Sequence, residues 1–272
     1  VFTIIFLVAC GGGDTSGGTI NVVSREDGSG TRGAFVEIVG ILEEDAEGNE
    51  VDRTYEEAVV QSSTNAVMTT VAGDSDTIGY ISLGSLNNTV KAVKVDGVEA
   101  SASAVQDGSY KIARPFNIAF DSDLSDLGKD FVEFILSEQG QEIVVAEGYV
   151  QVSENLSPYT EGEGFSGTLV VAGSTSVTPV MEKLKEAYEA IYDGVAIEIQ
   201  STGSSAGMQA AMEGAADIGM ASRELKDSET AVLEHEVIAI DGIAVIVNNE
   251  NSVENISLED IKAIFTGEKT SW

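Results

Sequence analysis

The chain is short of basic residues, cysteine and histidine. Fourteen Lys and Arg stand against 46 Asp and Glu among 272 residues, a formal charge of −32. Such a field repels nucleic acid and anionic lipid at long range, which argues against a nucleic-acid partner. Any anion site must win locally, through an Arg and oriented N–H groups at close range, where salt screens little. The single cysteine, Cys10, rules out an intramolecular disulfide, so stability rests on the core. The single histidine, His235, lies in Glu234-His235-Glu236 with no Ser or Cys partner and reads as a solvated surface residue. No phosphate loop of the form Gly-x4-Gly-Lys-Ser/Thr occurs. Asp45 to Asp52 is an acidic loop whose glycine and final Glu are out of place for calcium. No metal site, cofactor or general base emerges, which counts against a phosphoryl-transfer enzyme.

The opening apolar run, Val1 to Cys10, is too short to span a bilayer and is followed by the Gly/Ser/Asp-rich Gly11 to Gly18. Leu7-Val8-Ala9-Cys10 resembles a bacterial lipobox. Residues 1–18 are therefore expected to be a signal-peptide remnant, lipobox and linker, with Cys10 lipidated. The plainer alternative is a hydrophobic terminus with a buried cysteine.

What the chain does have is 43% hydrophobic residues, enough for one large or two smaller domains, and three glycine-and-hydroxyl stretches that each open into a helical pattern. These are Arg25 to Thr31, Gly173 to Ser176 and Ser201 to Gly207. Each follows a short β-branched run: Thr19 to Val23, Thr168 to Ala172 and Val195 to Gln200. After them come apolar residues at helical spacing, such as Phe35, Ile38, Val39 and Leu42, or Val180, Leu184, Ala187, Tyr188 and Ile191. A helix start leaves N–H groups unpaired and carries partial positive charge, so glycine and hydroxyls there make a cradle for phosphate-like anions. Further strands are expected at Thr77 to Ser82 and Val90 to Val95, and at Ile238 to Ile240 and Ile243 to Val247 around Asp241-Gly242. Helices are expected within Leu124 to Glu147 and over Leu258 to Phe265. The alternation predicts an α/β fold with largely parallel sheets, and the polar stretch 153–167 is the clearest internal linker.

Several of these segments resemble the phosphate-binding protein of the bacterial high-affinity phosphate ABC transporter. They are Ala172 to Ser176, Ser201 to Gly207, Ala216 to Arg223, Ser24 to Arg32, Ile78 to Gly84 and Leu136 to Gln141. The resemblance covers nearly all of Thr19 to Trp272. It implies a two-lobed periplasmic-binding-protein-like (Venus flytrap) fold, each lobe a sheet flanked by helices with the ligand cleft between. The order of segments departs from the family, because the Ser-Arg-Glu-Asp-Gly-Ser-Gly-Thr segment precedes the Gly-Ser-Thr-Ser segment. This reads either as a circular permutation or as parts of two modules of a tandem array. Carried over, lobe II is 18–112 plus 248–272 and lobe I is 113–247, with crossovers near Ile112 to Pro115 and Val247-Asn248.

The resemblance further implies that Arg25, Ser29, Gly30 and Thr31 bind phosphate from one lobe and Thr175, Ser176, Ser204 and Ser222 from the other, with Asp27 holding Arg25. Ser205, Arg223 and Glu224 are weaker candidates. Where several family members carry an Asp acceptor, this chain has Arg223 then Glu224, so Glu224 or Asp27 is left to accept the proton that distinguishes phosphate from sulfate. The expected function is extracytoplasmic capture of inorganic phosphate for an ABC permease by a lipid-anchored monomer, without catalysis. A binder of sulfate or molybdate, a phosphate-handling enzyme, or an adhesion or signalling module on the same fold are the alternatives.

Overall fold

The computed structural model describes residues 18–162 and 164–272; the Leu7 to Cys10 lipobox lies outside the described residues. The strand, loop and helix expected at three places are present, but the first helix stops at Gly40 in the left-handed conformation, so Leu42 opens the strand Leu42–Glu44 instead of continuing the helix face. Asn21–Arg25 leads to helix Gly30–Val39, Gly167–Gly173 to helix Thr178–Ile191, and Val195–Ser201 to helix Ser204–Met212. Parallel pairing brings these turns to the same edge. Val195–Ser201 runs parallel to Gly167–Gly173, which runs parallel to Ile218–Ala221. Asn21–Arg25 lies parallel between Thr77–Ser82 and Val59–Gln61.

A single strand, Glu234–Asn248, belongs to both groups. Its first part pairs antiparallel with Ala113–Phe120, and from Ile243 onward it pairs antiparallel with Thr77–Ser82. The break expected at Asp241-Gly242 is absent. Asp241 stands opposite Arg114 in the ladder and its carboxylate lies 3.0 Å from the guanidinium, so the charge is matched inside the sheet and the strand continues.

The apolar side chains form two main cores. One gathers residues from Ile20 to Ile112 and from Ile243 to Phe265, with Phe35 stacked on Tyr80 at 3.9 Å between ring centroids. The other runs from Phe116 to Ala239 and includes Phe131, Phe134 and Tyr188. We call these lobe II and lobe I. Packing passes from one core to the other between Ile112 and Phe116. The second crossing falls between Ala239 and Ile243 rather than at Val247-Asn248, because residues 243–247 pack in the lobe II core.

The polar linker divides the sequence but not a core, since its two flanks pack in the same lobe. It is strapped onto lobe I: the Val152 amide donates to Gln141 Oε1 at 3.0 Å, the Glu138 amide to the Ser157 carbonyl at 2.9 Å, and the Tyr159 hydroxyl to Asp130 at 2.5 Å. The acidic loop is the turn of a hairpin, Leu42–Glu44 with Glu50–Asp52, in which the Asp45 carboxylate accepts from the amides of Glu47 and Asn49. Several elements have no counterpart in the sequence reading, among them the strands Val59–Gln61 and Ala113–Phe120 and the helix Thr64–Ala72.

Candidate functional site

The strand Asn21–Arg25 delivers Arg25 to the seam between the lobes, 2% exposed. Its amide donates to the Tyr80 hydroxyl at 3.2 Å. Its guanidinium forks the Glu26 carboxylate, Nε at 2.7 Å and Nη2 at 2.8 Å, and Nη2 also donates across the seam to Thr175 Oγ1 at 3.1 Å. The chain then turns through Gly28, at φ +85, into Ser29, which caps helix Gly30–Val39 by accepting from the Arg32 amide. At Gly30 the lobes lie in close contact. A Cβ there would collide with Ser204 Oγ and lie 2.8 Å from Ser222 Oγ, so glycine is what lets the two helix starts face each other.

From lobe I, the turns after Gly167–Gly173 and Val195–Ser201 present a run of buried hydroxyls. Ser174 donates to Ser222 at 2.8 Å, Ser204 Oγ lies 3.4 Å from Ser222 Oγ, and the Ser222 amide donates to Ser204 Oγ at 3.2 Å. Across the seam, Thr31 and Ser176 hydroxyls are 2.9 Å apart, and the Ser205 amide donates to the Gly28 carbonyl at 3.1 Å. The structure thus brings together Arg25, Ser29, Gly30, Thr31, Thr175, Ser176, Ser204 and Ser222. It adds Thr64, buried at the start of helix Thr64–Ala72, with its hydroxyl 3.2 Å from that of Thr175. The polar tetrapeptide Ser62 to Asn65 ahead of Val67, Met68 and Val71 was the available signal for a helix start there.

Three expectations fail. Asp27 does not hold Arg25; it is 95% exposed and pairs with Arg32 at 2.8 Å, while Glu26, one residue nearer, makes the fork. Arg223 adds no free charge to the crevice, because Glu229 grips both Nη1 and Nη2 at 2.8 Å and on the crevice side Nη2 meets Ser205 Oγ at 3.4 Å. Burial alone would raise the Glu229 carboxyl, but Arg223 and the Lys226 amide outweigh it and hold the group below the usual range. Glu224 is exposed. Neither of the proposed acceptors, Asp27 or Glu224, stands in the crevice. At its rim a groove of about 220 Å³ is lined from both lobes by Ser29, Arg32, Ser205, Arg223 and Lys226, with the acidic Asp27 and Asp52 among them. A larger cavity of about 800 Å³ lies elsewhere on lobe I, between the strap and exposed His235.

Behind the crevice the strand shared by both lobes carries a buried ion pair that touches the site. Arg114 Nη1 donates to the Ser222 carbonyl at 2.9 Å while its other arm holds Asp241. Burial outweighs the attraction of Arg114 and pushes the Asp241 carboxyl up to about 6. Chemically the crevice offers one guanidinium, a ring of hydroxyls and the starts of helices Gly30–Val39, Thr64–Ala72 and Ser204–Met212, a donor-rich enclosure suited to a small oxyanion. Among the described residues no group of three or more His, Cys, Asp or Glu is placed to hold a metal, and no helix is long and apolar enough to cross a membrane.

Two α/β lobes closing donor-rich turns over a shared crevice define the two-lobed binding-protein class, and residues 13–139 and 159–272 match the PBP superfamily domain. Phosphate-binding protein PstS 2 of Streptococcus pneumoniae is 49% identical over 271 residues, 98% of this chain and 92% of that protein. Its counterpart in Streptococcus agalactiae is 50% identical over 260 residues, 95% of this chain and 88% of that one. The crystal structure of a phosphate ABC transporter phosphate-binding protein from Streptococcus pneumoniae TIGR4 has 50% identity and a TM-score of 0.74, covering 94% of this chain and 98% of that chain. The chain belongs to this family of phosphate-binding proteins.

Proposed function

We propose that the chain captures inorganic phosphate between its lobes and presents it to an ABC permease outside the cytoplasm, making and breaking no bond. The carrying observation is Arg25, buried between the lobes and reaching Thr175 across them, with hydroxyls of both lobes converging beside it. The phosphate ligands are Arg25, Ser29, Gly30, Thr31, Thr175, Ser176, Ser204 and Ser222. Closure excludes water, so these contacts strengthen in a lower dielectric, and the closed shape is what the permease reads. The names of the relatives support the ligand and the transporter role; they are binding proteins of a transporter and not enzymes.

The chain acts as a monomer anchored by lipid at Cys10, and lobe II spans 18–112 with the residues after the second crossing. The segment order is either a circular permutation or parts of two modules of a tandem array; in both, the strand after Gly18 follows on from Trp272, and Thr19 bridges Ser271 while the Ile20 amide donates to the Thr270 carbonyl at 2.9 Å.

Titration calorimetry with phosphate, sulfate and molybdate tests the reading. Phosphate gives saturable heat, and Arg25→Ala weakens it by more than about tenfold, roughly 1.4 kcal/mol. No heat with phosphate removes the reading, tighter sulfate or molybdate binding reassigns the oxyanion, and an unchanged Arg25→Ala removes Arg25 from the site.

A further inference from the structure

Thr64 opens a helix that the sequence reading passed over, and its hydroxyl stands where lobe II meets the Thr175-Ser176 turn of lobe I. The side chain is buried, at 4% exposure. Its Oγ1 lies 3.2 Å from Thr175 Oγ1, 3.3 Å from Ser176 Oγ and 3.5 Å from Arg25 Nη1. It is therefore beside the one guanidinium of the crevice and beside two of the hydroxyls proposed as ligands, from the opposite lobe.

The local fold leaves that hydroxyl free for the crevice. Capping of helix Thr64–Ala72 is done by its neighbour, Ser63, whose side chain accepts from the Ala66 amide at 3.2 Å. A mid-helix threonine commonly turns its hydroxyl back onto the carbonyl four residues earlier, as Thr69 and Thr70 do here with Asn65 and Ala66 at 2.9 Å. Thr64, in the first turn, bonds instead to side chains across the seam. Packing against Val67 and Val71 holds the helix on strand Thr77–Ser82, so its start is fixed relative to Arg25.

A hydroxyl carries one proton and can also accept, whereas the guanidinium only donates. Between neutral hydroxyls that proton makes an ordinary hydrogen bond; an oxyanion is the stronger acceptor and draws it in a charge-assisted one. We infer that Thr64 is a further ligand of the bound oxyanion, donating its hydroxyl proton directly, so that lobe II grips the guest from two helix starts, Gly30 and Thr64. The inference rests on the proposed phosphate reading. Like the other hydroxyls of the crevice, Thr64 Oγ1 can also accept a hydrogen bond from a protonated phosphate oxygen.

The test is titration of inorganic phosphate into the full chain carrying Thr64→Val or Thr64→Ser, with thermal unfolding of each recorded with and without phosphate. Thr64→Val keeps the shape and removes the hydroxyl; it weakens binding about tenfold or more and shrinks the rise in melting temperature that phosphate produces. Thr64→Ser restores binding to within about threefold of the parent chain, which a purely steric role of the γ-methyl would not do. Parent-like affinity in Thr64→Val overturns the inference while leaving the phosphate reading intact, and absence of phosphate heat in the parent chain overturns both. Should the Val variant melt below the working temperature, Thr64→Ala is judged by the same criterion.

Discussion

At the scale of single residues, the buried charges of this protein are each matched by a named partner, and the partner decides what the charge can do. Arg25 is held by Glu26 and keeps one face for the opposite lobe. Arg223 is spent on Glu229. Arg114 is divided between Asp241 and the carbonyl of Ser222, which ties the crossing strand to the ligand turn. Among the described residues Oδ1 of Asp241 has no hydrogen-bond partner, and neither has the hydroxyl of Ser82 or Tyr149. Burial lifts the Asp241 carboxyl to about 6, from 3.8. A raised carboxyl pKa favours the folded state at low pH, and that contribution is lost as pH climbs from near 4 through about 6. The stability difference between the parent and Asp241→Asn should therefore shift against the parent over that window and level off above it; denaturant unfolding at several pH values measures this. A pH-independent difference would show that Asp241 titrates normally. Such pairings were only partly legible beforehand. The place of Arg25 beside the hydroxyl-bearing turns followed from its glycine and hydroxyl neighbours, but whether Glu26 or Asp27 turns toward it depends on strand geometry: alternate residues face opposite sides, and the turn begins between them.

At the scale of elements, the site is an assembly of helix starts, and glycine placement controls their approach. Gly30 has a helical backbone that alanine adopts freely, but a methyl there would strike Ser204 Oγ across the seam. Gly30→Ala is therefore expected to lower phosphate affinity about tenfold or more by holding the two starts apart; parent-like affinity would mean that the two starts do not meet in the bound state. The three strand-and-helix units around the glycines were readable because β-branched runs and helical spacing sit on either side of an unmistakable turn. The helix Thr64–Ala72 was not, since Ser62 to Asn65 reads as loop and only Val67, Met68 and Val71 mark its buried face. The strand Glu234–Asn248 read as two, because an acid and a glycine in mid-run imitate a turn when the Arg that neutralises the acid lies far away in sequence.

At the scale of the whole molecule, a chain with net charge −32 takes an anion by enclosing it, so that close donors outweigh a screened field. Two cores joined by two neighbouring crossings, one beside Arg114 and one at Asp241, give such a chain a natural hinge directly behind the donors. The two-lobed plan was legible from the repeated strand, loop and helix units, whereas the second crossing was misplaced because 243–247 is apolar enough to suit either core. The most direct test is a crystal structure grown with phosphate. The account predicts a single tetrahedral anion within about 3 Å of the Arg25 guanidinium and of hydroxyls from both lobes, including Thr31, Thr64, Thr175 and Ser204. Phosphate bound elsewhere, with the lobes shut and Arg25 still bonded to Thr175, would contradict it.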